Sequence, residues 1–331
     1  MQVRIQGDGI AAACSAHLLN RSDVRVVWQA TERPRVPVIL LTGAALTLMG
    51  DIFGPLPALA ESHRIRRRVV SWGDAYEPVT VEHPAVVVSE QFLLATVKQN
   101  VEPVPAEAAS DWFVLTSPPL PAECREHNFG IRRATAVRVD LRDRSDSDAC
   151  WVESIPSGWL FLIPASEQSA YLLAVGASPE ELILSSRLIA PRIGPLGDVL
   201  GSFPTHPRLY WPLCGPGWLA CGSAAMAFDP LCGDGTAQAV REAILAAAVL
   251  QEIQKGGDPA PLLSHYQARL AAGMSRHLMM CSEFYRTGGS SQWWTTAVQS
   301  LQQGAQWCAT KLEGEAGRKY QMNGFELRPV A

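Results

Sequence analysis

The sequence lacks the patterns that mark several classes of protein. It has eight cysteines in 331 residues, with no C-x-x-C pair and no paired histidines near a cysteine, so neither a disulfide framework nor a metal site is expected. Long apolar runs are also missing. The uncharged, mostly apolar stretch at residues 36–50 contains Pro37 and Gly43 and is shorter than the roughly 20 residues that a membrane-spanning helix needs. The sequence therefore predicts no metal and no membrane insertion.

A strong positive charge is absent as well. The formal net charge is −4 and the isoelectric point is near 6.0, whereas proteins that bind nucleic acid through its phosphates carry clustered positive charge. The one arginine cluster, Arg64 with residues 66–68, runs into Val69 and is typical of a solvated strand edge. We expect no nucleic-acid partner. Because the N-terminus shows neither the basic nor the apolar segment of a secretory signal, a cytoplasmic location is expected.

Hydrophobic periodicity predicts a mixed α/β fold. Residues 2–6 and 23–28 are expected to form strands on either side of a helix at 10–19, and this order begins a doubly wound parallel sheet. Residues 130–175 alternate between apolar and polar side chains, which favours an inserted antiparallel sheet. Helices are predicted from Thr236 to about Ile253 and again after Pro261. The expected fold class is a Rossmann-like α/β domain with an inserted antiparallel β-sheet domain and C-terminal helices.

A glycine-rich turn joins the first predicted strand to the first helix. Residues 7–12 fit the dinucleotide fingerprint G-x-G-x-x-G/A. In this pattern the first glycine permits the tight turn, the second lets a pyrophosphate approach the backbone, and the last small residue lets helix and strand pack closely. The free N–H groups of the helix start then face the phosphates. The candidate cofactor-binding residues here are Gly7, Gly9, Ile10, Ala11 and Ala12.

The usual partner of the nucleotide ribose is replaced in this sequence. An Asp or Glu is expected at the end of the second strand, but Gln29 stands there, with Arg33 just beyond. A glutamine amide accepts a hydroxyl hydrogen bond less strongly than a carboxylate does. Gln29 is therefore either a ribose contact or an exposed strand end, and Arg33 is a further candidate at the same edge.

A second glycine-rich loop carries a family resemblance. Gly222-Ser223 follows a predicted buried strand, and Pro230-Leu-Cys-Gly-Asp-Gly235 precedes the helix at Thr236. This stretch resembles the second FAD motif of flavoprotein monooxygenases of the hydroxybenzoate hydroxylase fold, in which G-D-A-A ends a strand and P-x-x-G-x-G precedes a helix. Ser223 stands where that family has Asp. The resemblance implies FAD as the cofactor, bound by Ser223, Pro230, Gly233, Asp234, Gly235 and Thr236.

A third segment indicates a branch of that family. Residues 158–164 resemble the G-W-x-W-x-I-P segment of flavin-dependent tryptophan halogenases, with Phe161 in place of the second tryptophan. Halogenases of this kind carry a lysine beside the substrate, yet this chain has no lysine before Lys98. The resemblance therefore implies a monooxygenase on the halogenase-like side. The chain is more loosely similar to flavoproteins that oxygenate tryptophan side chains of partner proteins during maturation of tryptophylquinone enzymes.

The resemblance also implies a reaction. Reduced flavin would react with O₂ and form a C4a-hydroperoxide, which would hydroxylate an electron-rich aromatic ring. The substrate would be either an aromatic small molecule or a tryptophan of a partner protein. NAD(P)H or a flavin reductase would supply the electrons. His83 and Asp229 are candidate proton-handling residues, although a strand-edge histidine and a loop-turn aspartate can each be structural. Trp72, Trp159 and Phe161 are candidates for an aromatic wall at the substrate, although strand aromatics are often core residues.

Other functions stay open from the sequence. A flavin-dependent reductase or dehydrogenase would use the same scaffold without oxygen chemistry. A non-catalytic flavoprotein-like scaffold or maturation factor would be compatible with Gln29 and Ser223 in place of the usual carboxylates. An NAD-dependent dehydrogenase would explain the first turn but not the loop at 222–236. The predicted domains are an FAD-binding domain at residues 1–70, 101–130 and 210–255, a substrate sheet domain at 71–100 and 131–209, and a helical region at 256–331.

Overall fold

The structure is a computed structural model that describes residues 1–31, 33, 35–74, 77–98, 110–313 and 320–330. Its strands, in chain order, are β1 (Gln2–Gln6), β2 (Arg25–Gln29), β3 (Ile39–Thr42), β4 (His63–Ser71), β5 (Val79–Val88), β6 (Trp112–Leu115), β7 (Arg125–Asn128), β8 (Arg133–Asp140), β9 (Ala149–Ile155), β10 (Gly158–Pro164), β11 (Ser169–Gly176), β12 (Val199–Pro204), β13 (Arg208–Trp211), β14 (Cys214–Gly215), β15 (Trp218–Ala220), β16 (Met226–Ala227), β17 (Tyr320–Asn323) and β18 (Glu326–Pro329). Its α-helices are α1 (Ile10–Asn20), α2 (Gly43–Phe53), α3 (Glu90–Lys98), α4 (Pro179–Ser185), α5 (Gly235–Gln254), α6 (Pro259–Arg286) and α7 (Gln292–Leu312).

The N-terminal segment forms the centre of a five-stranded sheet in the order β14-β15-β6-β1-β2. β1 pairs in parallel with both β2 and β6, and β15 continues the parallel set beyond β6. The alanine-rich α1 has a nearly continuous buried surface and packs against α5. Small side chains permit this close approach of helix to helix and of helix to sheet. The predicted β-α-β opening of a doubly wound sheet is therefore confirmed.

A second sheet has eight strands in the order β12-β8-β11-β10-β9-β4-β5-β3. Strands β8 to β11 confirm the antiparallel pairing predicted for residues 130–175, with β10 paired on one side to β9 and on the other to β11. Along β10 the side chains alternate between two buried clusters. Trp159 and Phe161 belong to the main core, and Leu160 and Leu162 to the smaller cluster on the opposite face.

The C-terminal helices close over one end of this sheet. α6 buries a stripe of helical period that includes Tyr266, Leu270, Met274 and Leu278, as their spacing predicted, and α7 packs along it. The helices are tied to the sheet by three indole N–H groups. Trp72 donates to the Phe284 carbonyl, Trp159 to the Tyr285 hydroxyl and Trp294 to the Ile155 carbonyl, each at 2.9 Å.

Within the described ranges, no helix combines the length and the apolar character needed to cross a bilayer. The predicted division into domains stays a prediction.

Candidate functional site

A cavity of about 930 Å³ lies between the first turns of α1 and α5 and the eight-stranded sheet. Its lining includes Gly9 at the start of α1, Gly235 and Thr236 at the start of α5, and Phe161 on β10. The two glycine-rich turns are far apart in the sequence, yet both face this one space. The candidate residues that line it are Gly9, Ile10, Ala11, Arg33, Phe161, Ser223, Asp229, Pro230, Gly233, Gly235 and Thr236.

The first turn is shaped by a neighbouring strand end. Gly7 has φ = +121°, and a Cβ there would lie 2.1 Å from Thr116 Oγ1, so no larger residue fits. Gly9 has extended backbone with φ = −136°, and the nearest neighbour of a Cβ there is the flexible end of Arg33, at 3.1 Å. Ala12 is fully buried. Gly7 and Ala12 therefore serve packing, whereas Gly9 borders the cavity.

The two helices that begin at the cavity lack side-chain caps. No side-chain hydrogen bond caps α1 after Gly9, and the Asp234 carboxylate that precedes α5 pairs with Arg241 instead. Three other helices are capped by a side chain, α2 by Thr42, α4 by Ser178 and α6 by Asp258, whereas α7 also starts without such a cap. The first N–H groups of a helix need partners and carry partial positive charge. The cavity therefore presents two sets of backbone donors suited to an anionic ligand.

Charged side chains surround the start of α1. Arg33 lines the cavity and pairs with Glu90, whose Oε2 it reaches at 3.0 Å. Arg35 and Lys98 both pair with Asp8, and Lys98 also lies over the Trp28 ring. Although burial raises the pKa of the Asp8 carboxyl, the Lys98 and Arg35 partners outweigh it and hold the pKa below its usual value. This rim therefore keeps guanidinium groups in place beside Gly9.

The second loop fits closely against α1. Gly222 has φ = +60° and a Cβ there would lie 2.8 Å from the Cβ of Ala11, so glycine is required by close approach. The Gly222 N–H donates to Glu242 at 2.7 Å, and the Ser223 hydroxyl donates to the Thr116 carbonyl at 3.2 Å. Gly233, with φ = +62°, ends the short 3₁₀ helix that begins at Pro230. The second loop is thus held against both α1 and α5.

Glu242 is a buried acid at the cavity wall that the sequence analysis missed. Burial raises the pKa of its carboxyl to about 8, against the stabilising bonds from Gln238 and Gly222. The only sequence signal is an acidic residue that directly precedes the apolar, alanine-rich stretch at 243–250 of α5.

This carboxyl predicts a pH dependence of stability. Between its ordinary pKa of 4.5 and about 8, Glu242 ionises in the unfolded chain but stays protonated in the folded one, so the free energy of unfolding falls as pH rises through that range. The effect is on the order of a few kcal/mol. Urea unfolding from pH 5 to 9 should show the fall in the wild type and a flatter profile in Glu242→Gln. The control Glu252→Gln, at a more exposed position of the same helix, should keep the fall. A wild-type profile in Glu242→Gln would contradict this assignment.

Asp229 is held by a buried network. One carboxylate oxygen accepts from the Leu231 N–H at 3.0 Å, and the other accepts from Arg132 at 3.2 Å and from the Tyr285 hydroxyl at 2.8 Å. Arg132 also lies over the Tyr285 ring, 4.8 Å from its centroid. The residue is only 2% exposed. Every bond of this carboxylate therefore fixes the loop before Pro230. Its predicted part in proton handling stays a prediction.

His83 lies behind the cavity wall. Its Nε2 is 3.4 Å from Arg68, and burial followed by the charge of Arg68 lowers its pKa to about 4. Arg68 in turn lies over the Phe161 ring, and its guanidinium is 3.1 Å from where a Gly233 Cβ would be. His83 is therefore linked to the second loop through Arg68, while it is not one of the residues that line the cavity. Its predicted proton-handling role also stays a prediction.

Several candidate residues lie away from the cavity. Gln29 is at the exposed end of β2, and Asp234 is engaged by Arg241. Trp72 and Trp159 do not line the cavity, because their indoles are directed to the C-terminal end of α6. Of the predicted aromatic wall, the structure brings only Phe161 to the cavity.

Sequence reasoning missed the partners that hold this site together. Arg35, Glu90, Arg132 and Tyr285 contact predicted residues, but each pair is distant in the sequence and no short motif contains both members.

Solved structures with this architecture include several flavin-dependent enzymes. CmlS, a flavin-dependent halogenase, is 15% identical with a TM-score of 0.75, covering 94% of this chain and 71% of that one. QhpG, a peptidyl tryptophan dihydroxylase essential for tryptophylquinone cofactor biogenesis, is 18% identical with a TM-score of 0.68, covering 89% and 78%. Aklavinone-11 hydroxylase, solved with FAD and aklavinone, is 15% identical with a TM-score of 0.62, covering 87% and 69%.

The sequence itself matches no protein-family model and no curated protein. At these identities the structural similarity establishes that this chain has the fold of those enzymes.

Proposed function

We propose that the chain binds FAD in the 930 Å³ cavity and acts as an FAD-dependent monooxygenase that hydroxylates an electron-rich aromatic. The observation that carries this proposal is the convergence of the two glycine-rich turns on one cavity. A nucleotide that spans the space would meet the α1 turn at one end and the α5 turn at the other. Neither turn alone distinguishes FAD from other dinucleotides.

The ligand contacts follow from the chemistry of the lining. The uncapped first turn of α1, with Arg33 beside it, suits a pyrophosphate. The uncapped first turn of α5 suits the pyrimidine edge of a flavin ring, where the reduced form carries negative charge. Ser223 is the candidate for the ribityl chain. Gln29, at the exposed strand end, is the weakest of the proposed contacts.

The apolar part of the cavity suits an aromatic substrate. Phe161, Ile163 and Leu173 come from adjacent strands of the eight-stranded sheet and form a wall that excludes water from the ring. When bound, FAD supplies the oxygen chemistry. The protein's own residues hold the cofactor, orient the aromatic ring and keep the site dry. The structural similarity to aklavinone-11 hydroxylase, solved with FAD and aklavinone together, supports a site that holds both a flavin and a second ligand.

The position of Lys98 favours hydroxylation over halogenation. Lys98 is the first lysine in the sequence. It pairs with Asp8 and lies 5.2 Å from the Trp28 ring, outside the residues that line the cavity. Because Lys98 is engaged by Asp8 and Trp28 and is not among the residues that line the cavity with Phe161, its position favours hydroxylation.

The proposed aromatic substrates include a tryptophan side chain of a partner protein. The structural similarity to QhpG, which acts on a peptidyl tryptophan, supports this extension. NAD(P)H or a separate flavin reductase would supply the electrons.

The test begins with the absorption spectrum of the purified protein after incubation with FAD. We expect the bands of bound flavin, followed by NAD(P)H-driven or reductase-driven oxygen uptake that increases with an indole or phenol substrate and gives a hydroxylated product. Bound flavin that is reduced but consumes no oxygen would indicate a reductase or dehydrogenase. A protein that takes up no FAD would indicate a non-catalytic scaffold, and either result would reject the monooxygenase.

A further inference from the structure

A cluster of two cysteines and a histidine lies beside the second loop and has no part in the proposed function. Cys232 is in the loop, and His277 and Cys281 are one turn apart on α6. The two sulfur atoms are 3.7 Å apart, and the potential ligand atoms of all three side chains lie within 4.8 Å of one another. Phe228 stacks on the His277 ring with a centroid distance of 3.9 Å.

These residue types are those of a zinc site, but the histidine is turned the wrong way for one. The backbone N–H of Asp229 donates to Nε2 of His277 at 2.9 Å, so the lone pair of Nε2 is already used. In neutral imidazole the other nitrogen, Nδ1, then carries the proton. A metal ligand must offer a free lone pair. The Asp229 N–H therefore leaves the Nδ1–H of His277 as a donor toward Cys232 Sγ and not as a ligand. Cys281 Sγ lies between the two ring nitrogens, 3.9 Å from Nδ1 and 3.5 Å from Nε2.

The same geometry stabilises a thiolate at Cys232. The Nδ1–H of His277 is 3.8 Å from Cys232 Sγ, and the Cys281 thiol is the other donor close to it. The hydrogen bond from Cys281 is the main cause that lowers the pKa of Cys232, with His277 adding to it and burial and Asp229 opposing it. The pKa of Cys281 is raised by its bond to Cys232, by burial and by Asp229, although Arg132 opposes the rise.

The two cysteines also differ in their exposure to solvent. Cys232 is partly exposed, whereas Cys281 is fully buried. A partly exposed thiolate next to a buried thiol has the arrangement of an attacking cysteine and a resolving cysteine.

We propose that Cys232 and Cys281 form a redox-active dithiol that hydrogen peroxide closes to a reversible disulfide. The Cys232 thiolate attacks one oxygen of the peroxide, the O–O bond breaks, and Cys232 sulfenic acid and hydroxide form. The Cys281 sulfur then attacks the sulfenic sulfur, the S–O bond breaks, and water leaves as the disulfide forms. The hydroxide takes up the proton that Cys232 released on ionisation, so together the two thiols lose two electrons and the peroxide is reduced to two molecules of water. A dithiol reductant reverses the change by thiol–disulfide exchange.

The disulfide would move the second loop. Its bond length of about 2.05 Å is much shorter than the present sulfur separation, so closure draws Cys232 toward α6. Gly233, the next residue, lines the cavity. Oxidation therefore changes the position of the loop at the cavity wall, and reduction restores it.

The experiment follows the thiols directly and so does not depend on flavin binding. The reduced protein is treated with hydrogen peroxide, the remaining thiols are alkylated, and non-reducing peptide mass spectrometry locates any cross-link. We expect the loss of two alkylatable thiols and one linked peptide pair that contains Cys232 and Cys281. Cys281→Ser should leave a sulfenic acid on Cys232 that a dione probe traps. The control Cys308→Ser, at a buried cysteine outside the cluster, should form the same cross-link as the wild type.

The role of His277 is tested by the pH profile of Cys232 alkylation. His277→Ala removes the Nδ1–H donor, so the midpoint of the profile should move to higher pH, and a merely structural role would not move it. Three results would overturn the proposal. These are stoichiometric zinc in the purified protein that protects Cys232 from alkylation, a profile that His277→Ala leaves unchanged, and peroxide treatment that yields no link between Cys232 and Cys281.

Discussion

Gly9→Val is expected to give a folded protein that has lost most of its flavin. The backbone of Gly9 is extended, with φ = −136°, a conformation that valine adopts readily. The nearest atom to an added Cβ is a guanidinium nitrogen of Arg33, at 3.1 Å. The added side chain projects where a pyrophosphate would approach the start of α1. A steric cost of about 1–3 kcal/mol corresponds to a roughly 5- to 150-fold higher dissociation constant for flavin. The flavin-to-protein ratio after reconstitution measures it.

Two other glycines provide the controls for this variant. Gly50→Ala, in the middle of α2 with open space around it, should keep both the fold and the flavin. Gly7→Ala should not fold stably, because the added Cβ would overlap the side chain of Thr116. A Gly9→Val protein with wild-type flavin content would remove the α1 turn from the cofactor site.

Asp229→Ala is expected to destabilise the protein by about 3–5 kcal/mol, the loss typical when one partner of a buried ion pair is removed. The variant leaves the Arg132 guanidinium buried without its carboxylate and frees the loop before Pro230. Urea unfolding monitored by circular dichroism measures the change. Tyr285→Phe, which removes only one hydrogen bond to the same carboxylate, should cost about 1–3 kcal/mol.

The exposed pair of Arg67 and Asp148 is the matched control. Its side chains are 44% and 39% exposed, and Asp148→Ala should cost less than about 1 kcal/mol. If Asp229→Ala unfolds at the wild-type urea midpoint but loses hydroxylation, the carboxylate acts in the chemistry and does not serve as an anchor of the loop.

The parts of the fold that could be predicted from the sequence are those whose causes are local. Strand β1, the turn at Gly7 and the alanine-rich α1 follow one another directly, so alternation, turn chemistry and helical spacing are all visible in one short stretch. The same holds for the loop from Pro230 to Gly235 and for the stripe along α6. That the two turns would share a cavity followed from the family resemblance, since nothing in either stretch refers to the other.

The parts that could not be predicted depend on contacts between distant residues. His277 was not a candidate, because its position opposite Cys232 results from the packing of α6 against the loop. Trp159 was a candidate for an aromatic wall at the substrate, with a core position as the alternative. Its indole is instead used by Tyr285, a residue 126 positions away. Alternation along β10 places Trp159 and Phe161 on one face of the strand, but it does not say what covers that face at each point.

The missing caps of α1 and α5 have a consequence for the stability of the protein before its cofactor binds. Among the described residues, no N-cap side chain satisfies the first amides of either helix, so each helix start at the junction of the two sheets is less stable until a ligand binds there. A flavin nucleotide would complete both ends at once, and a ligand held by the native state alone raises stability with the logarithm of its concentration. The supply of flavin during synthesis would therefore govern how much of the chain matures and how much is degraded.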